Sequence, residues 1–227
     1  MTNRLELRVV VPAPPRSRGP VQVRPVIDGR DILNEFPAGP GHEPETMLAT
    51  LGPLTARAQP REVSLATADC TEGCCGALYV TVRRDGDSVV WGEWRDPEDD
   101  DIELPEFRFD AAEYDRELRR AAADTSWEWF ARTVARLLGR RLRETPEVLA
   151  RWDCELQAVV AWPWQRGIVT VLLYHPHRSS ATQNTPWRQL LLHLPVEPGD
   201  PEGEAKRLAD RIAVMDPRHA GSPSGDD

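Results

Sequence analysis

The sequence predicts an α+β fold in which antiparallel sheets carry packed helices, divided into two small subdomains. Three observations support this. Strand-like segments are joined by hairpin signals, as where Ala77–Arg84 and Ser88–Trp94 flank Asp85-Gly86-Asp87. Helix-like segments come in blocks and do not alternate with single strands, as a doubly wound parallel sheet would require. The 227 residues are 40% hydrophobic and 29% charged, enough to bury a core in one large domain or two small ones.

Taken in order, residues 5–11 and 21–27 alternate as strands around a Pro/Arg/Gly turn. Residues 34–61 form a long Pro- and Gly-rich connection with a short helix at Pro44–Leu51. Glu62–Ala68 is a strand, followed by a tight loop at Cys70–Gly76, the hairpin named above, an acidic loop from Asp96 to Glu106 and a short strand at Phe107–Phe109. Asp110 is placed to cap a helix, with Glu113 three residues on. Thr125 and Glu128 repeat that signature before an amphipathic helix at 126–143, whose apolar stripe runs through Trp127, Phe130, Ala131, Val134, Leu137, Leu138 and Leu142. Thr145-Pro146 starts a short helix. Strands follow at Cys154–Trp162, Ile168–Tyr174 and Trp187–Leu194, and Asp200-Pro201 opens a last helix. The expected division is an acidic unit at 1–118, a second unit at 119–215 and a disordered Gly/Ser/Pro-rich tail at 216–227. Alternation puts Cys154, Leu156, Ala158, Val160 and Trp162 on one face of their strand.

Charge is uneven. Residues 1–118 hold 13 Arg against 23 Asp and Glu, and residues 119–227 hold 15 basic against 14 acidic residues. The acidic half repels phosphate backbones, which argues against a nucleic-acid partner. The opening apolar run is too short and too charged for a signal peptide, and no segment approaches the roughly 20 apolar residues that span a bilayer. These features imply a cytoplasmic protein without membrane attachment.

The stretch from Ala68 to Tyr114 resembles a family of uncharacterised bacterial proteins. Those proteins have a Cys-x-Glu-x-x-Cys loop between strands, then a Val-x-Trp strand, then Phe-Asp and Tyr at a helix start. The matching residues are Cys70, Glu72, Cys75, Leu78, Val89, Trp91, Phe109, Asp110 and Tyr114, with departures at Cys74 and Gly76. The resemblance implies a fold unit and no chemistry. The strand trio closed by a helix in the second half is similar to bacterial immunity proteins at the level of architecture.

Candidate chemistry is sparse. Cys70, Cys74 and Cys75 could supply two or three ligands to a zinc ion, with Cys154 or a histidine completing the set, or could act as redox thiols. The sequence lacks a second Cys-x-x-Cys pair, so no metal or other cofactor is expected. His175-Pro176-His177 reads as an exposed loop. The acidic run of Asp96, Glu98, Asp99, Asp100, Asp101 and Glu103 lacks the spacing of a calcium loop. There is no Gly-x-Ser-x-Gly, no Walker A loop and no Gly-x-Gly-x-x-Gly. On the helix at 126–143, Arg132, Arg136, Arg140 and Arg143 fall opposite the stripe at about 100° per residue, with Trp129 among them. Trp flanked by Arg is the composition of a binding hot spot. Either this face binds a partner through Trp129, Arg132, Arg136 and Arg140, or another element covers Trp129 and the arginines meet the acidic loop. The first functional expectation is therefore a non-catalytic, protein-binding or toxin-neutralising protein. The alternative is a small-molecule or metal-dependent enzyme with a cysteine-containing site.

Overall fold

The computed structural model describes residues 2–13, 19–35, 39–68, 76–97, 102, 104–182, 186–220 and 222–223. The chain is α+β, and its three sheets are antiparallel. It divides into two compact units, Met1–Trp127 and Glu128–Asp227.

In the first unit, β1 (Leu5–Val10), β2 (Gln22–Ile27) and β3 (Arg30–Asp31) form a three-stranded sheet. β2 and β3 are joined by Asp28-Gly29, both at positive φ (50° and 85°), as a tight two-residue hairpin loop requires. Two short helices follow, α1 (Ile32–Glu35) and α2 (Pro44–Met47). The strands β4 (Arg61–Thr67), β5 (Ala77–Asp85), β6 (Ser88–Arg95) and β7 (Phe107–Asp110) form a four-stranded meander in chain order. Gly86 turns the β5–β6 hairpin at φ 59°. The Asp110 carboxylate accepts the Glu113 N–H at 2.9 Å and caps α3 (Ala111–Ala123) as the sequence predicts.

The core of this unit is aromatic at its centre. The Trp91 ring meets Phe109 and Tyr114 edge-on, with centroids 5.7 and 6.2 Å apart. The Trp91 indole N–H donates to the Tyr114 hydroxyl at 3.2 Å, and that hydroxyl donates to the Leu54 carbonyl at 2.7 Å. Every polar atom on these two rings is thereby satisfied inside the core, and burial pushes the Tyr114 phenol well above its ordinary pKa.

In the second unit, α4 (Phe130–Glu144) and α5 (Glu147–Ala150) precede β8 (Glu155–Val160), β9 (Ile168–His175) and β10 (Arg188–Pro195). Then come α6 (Pro201–Val214), α7 (Pro217–Ala220) and β11 (Ser222–Pro223). The sheet order is β11-β10-β9-β8, and α4 packs on β8 and β9 with α6 beside it. Asp200 caps α6 by accepting the Glu202 and Gly203 N–H groups, with Pro201 at the tolerated first position.

Three expectations are corrected here. The helix expected at 126–143 starts only at Phe130, with no side-chain cap. The reason is local, because Asp124 accepts both the N–H and the hydroxyl of Ser126, and its carbonyl accepts the Trp127 indole N–H. This side-chain turn competes with helical hydrogen bonds and holds the chain out of the helix. The second correction is a bulge. The β8–β9 register shifts between Leu156 and Ala158. Cys154, Leu156, Val159 and Ala161 therefore face the core, while Ala158 and Val160 turn to the opposite face. The third is the tail, expected to be disordered from 216. Residues 217–220 are helical and Ser222–Pro223 pair with Leu190 and Leu191 on β10.

Candidate protein-binding site

The predicted Trp/Arg face does not exist as one surface. Trp129 is the residue before the first turn of α4, half-buried against the second core, with the Arg166 guanidinium 5.5 Å above its ring. Its indole N–H is buried and has no hydrogen-bond partner among the described residues. Arg132, expected on the solvated side, is only 4% exposed and lies 3.5 Å from the Ala161 carbonyl. The physical reason is that α4 touches both the sheet and α6, so its buried arc is wider than one apolar stripe. Arg136 is exposed on one side but makes a two-pronged pair with Glu128, at 2.8 and 3.0 Å. That hydrogen bond raises the Arg136 pKa. Arg140 is exposed and has no partner among the described residues. Of the four expected binding residues, only Arg140 is available in the way the sequence suggests.

The loop holding Cys70, Cys74 and Cys75, and the acidic positions 98–101 and 103, lie outside the described residues. Cys154 is buried under α4 and α5. Its thiol is 3.9 Å from His175 Nδ1, which also meets the Asp153 carbonyl at 3.2 Å. Since that ring nitrogen faces a carbonyl, it carries the proton and cannot take one from the thiol. Burial pushes the Cys154 thiol up to about 11, which keeps it protonated at neutral pH. Among the described residues no group of three His, Cys, Asp or Glu side chains could hold a metal ion. His175 ends β9, whereas His177 lies in the following loop, as expected, and is tied in there. Its backbone N–H donates to Asp153, and its Nε2 lies 3.7 Å from Glu155.

A hot-spot composition does appear on this unit, where the end of β9 meets the start of β10. Trp187 is 49% exposed. Its ring meets Tyr174 edge-on, with centroids 4.7 Å apart and planes at 75°. The Arg178 guanidinium lies 4.9 Å over the same Tyr174 ring. Glu155 holds Arg178 through Nε at 3.1 Å, and the Arg178 hydrogen bond holds the Glu155 carboxyl below the usual carboxylate range. Pairing across β8, β9 and β10 builds the surface beside this cluster. Glu155, Tyr174 and Gln189 form one row, and Ala158, Leu172 and Leu191 form the next. None of these side chains belongs to the core under α4. The face is half-buried and mixed, with Ala158, Leu172 and Leu191 beside the polar Glu155 and Gln189 and the aromatic pair at its end.

The signal was present in the sequence. Tyr174 ends one predicted strand and Trp187 starts the next, so an antiparallel pair must bring the two rings together. Ala158 and Val160 were hidden by the bulge. Among the described residues no helix is long and apolar enough to cross a membrane. No family model, curated protein or solved structure matches the chain.

Proposed function

We propose that this chain is a non-catalytic protein that works by binding another protein, and that the Tyr174–Arg178–Trp187 cluster is the centre of the contact. The observation that carries this reading is the exposed Trp187 ring, fixed in orientation by Tyr174. Trp, Tyr and Arg are the residues that dominate binding energy at protein interfaces, and rigid rings lose little conformational freedom when a partner arrives. The adjoining Leu172 and Leu191 supply apolar area around them. A toxin-neutralising role is one form of this reading, and a regulatory partner is another.

The test compares two baits in quantitative affinity capture from the native host, the wild-type chain and Trp187→Ala. Support is a protein retained by the wild type, lost at least tenfold with the variant, and then bound directly by the purified chain. Equal retention by both baits, with both folded, would falsify the assignment of this surface.

A further inference from the structure

The first unit contains a cleft of about 810 Å³ between the start of β1 and the side of α3. That volume lies in the range of small-molecule sites. The walls of the cleft are fixed. Asn3 donates its N–H to the Arg108 carbonyl at 2.7 Å and its side-chain amide to Asp28 at 2.7 Å, and the Arg4 N–H donates to Asp28 at 2.8 Å.

The two ends of the cleft differ. At one end α3 is bonded to β1. The Leu7 N–H donates to Glu117 at 2.7 Å, Arg120 donates to the Leu7 carbonyl at 2.8 Å, and Glu117 and Arg120 pair with each other. A carboxylate and a guanidinium thus satisfy the free peptide edge of β1. One helical turn earlier, α3 repeats the same pair as Glu113 and Arg116. Leu5, two residues before Leu7, turns its peptide groups to the same edge by strand alternation. Here strand and helix stand apart, and the cleft lies between them. The side chains of Arg4, Glu113 and Arg116 are exposed and make no hydrogen bond or ion pair among the described residues, and Arg4 acts on Glu6 only through its charge. The other two carboxylates on the walls are already engaged, Glu6 by Arg8 and Glu117 by Arg120. Two guanidiniums and one carboxylate are therefore left facing an open volume, in a unit whose acidic residues outnumber its basic ones.

We propose that this cleft binds a small zwitterion with a net negative charge, an acidic amino acid. Its two carboxylates would be taken by Arg4 and Arg116, and its ammonium by Glu113. Guanidinium is the side chain suited to two-pronged carboxylate recognition. Glu113 gives the site its discrimination, because a plain dicarboxylate has no ammonium and would leave Glu113 as a third negative charge with no cation to offset it.

The experiment is isothermal titration calorimetry of the full chain with L-glutamate and with glutarate, at ionic strength held constant with sodium chloride. L-glutamate is expected to saturate and to bind at least fivefold more tightly than glutarate. Arg4→Gln and Arg116→Gln should each weaken L-glutamate at least tenfold. Glu113→Gln should remove the preference over glutarate. Arg119→Gln, on the same helix but outside the cleft, should change nothing. Because the altered side chains are exposed, circular-dichroism melts should match the wild type. The proposal is overturned by an absence of saturable heat for L-glutamate, by glutarate binding as tightly, or by unchanged affinity in the two arginine variants.

Discussion

The two units place their aromatic side chains in opposite ways. In the first, Trp91, Phe109 and Tyr114 occupy the centre of the core, and the relay from Trp91 through Tyr114 to Leu54 leaves no polar atom on those rings unsatisfied. In the second, the core under α4 and α6 is aliphatic, built from residues such as Val134, Leu138, Val171, Leu192, Leu208 and Ile212. Its tryptophans lie at the margin. Trp129 and Trp152 are half-buried with indole N–H groups that have no partner among the described residues, Trp162 stacks on Trp164 at 5.2 Å, and Trp187 is exposed. The difference separates two uses of a large ring. In the first unit the central rings are consumed by folding, and in the second the Trp187 ring stays half in solvent.

The largest effect should come from breaking the aromatic centre. Trp91→Ala removes a fully buried ring, and the expected cost is about 3–5 kcal/mol in urea denaturation. Tyr114→Phe is milder but diagnostic. It keeps the ring and strands the Trp91 N–H and the Leu54 carbonyl, costing about 1–3 kcal/mol. If Tyr114→Phe were neutral, the hydroxyl relay would contribute nothing to the first unit and the comparison would rest on area alone.

The next effect belongs to Trp129. Its ring packs on the second core, so Trp129→Ala should cost about 2–3 kcal/mol. Its indole N–H has no partner among the described residues, so Trp129→Phe should lose much less than Trp91→Phe, where a hydrogen bond also disappears. Equal losses for the two Phe variants, measured by denaturation, would erase the distinction between a satisfied and an unsatisfied tryptophan.

How far the sequence could see follows from which signals are local. The Asp85-Gly86-Asp87 hairpin and the Asp110 and Asp200 caps were legible because turn and cap chemistry acts over three or four residues. The Asp28-Gly29 turn carries an equally strong signal, just past the strand predicted at 21–27. The face of β8 was not legible. A single extra residue at Gln157 reverses every side chain beyond it, and nothing in Leu156-Gln157-Ala158-Val159 reveals which residue will be left unpaired. The depth of Arg132 was hidden for a different reason, since an arginine reads as surface until two packing partners are known. The expected binding face was lost to the depth of Arg132 and to the Asp124 turn that delays the helix to Phe130. The true exposed ring, Trp187, needed only the pairing of two strand ends that were already predicted.

Trp187→Ala should barely disturb the fold. The ring is half in solvent, and its edge contact with Tyr174 is of a kind that contributes about 0.5–1.5 kcal/mol. A loss of about 1 kcal/mol is expected, well below that for Trp129→Ala. A loss as large as the Trp129 variant's would mean that Trp187 serves the fold, and the proposed contact surface would lose its centre.

The smallest effect is electrostatic and concerns what holds Arg178 over Tyr174. Glu155 is the anchor, and its carboxyl is held below the ordinary range first by the Arg178 side-chain hydrogen bond. His177 stands 3.7 Å from the same carboxylate. The folded-state pKa is depressed, so the stabilising pair is fully present above the unfolded carboxylate value and is lost as pH falls through the lowered one. Both groups are solvent-exposed enough that the global melt should not register the change. Local geometry should register it, because Arg178 released from Glu155 is free to leave the Tyr174 ring. Chemical shifts of the Tyr174 ring protons should therefore show a transition as pH falls below the ordinary carboxylate range. Glu155→Gln should give the acid-form shifts already at neutral pH. Shifts that ignore both the acid and the substitution would show that packing alone fixes the arginine, and the cluster would then be preorganised without its carboxylate.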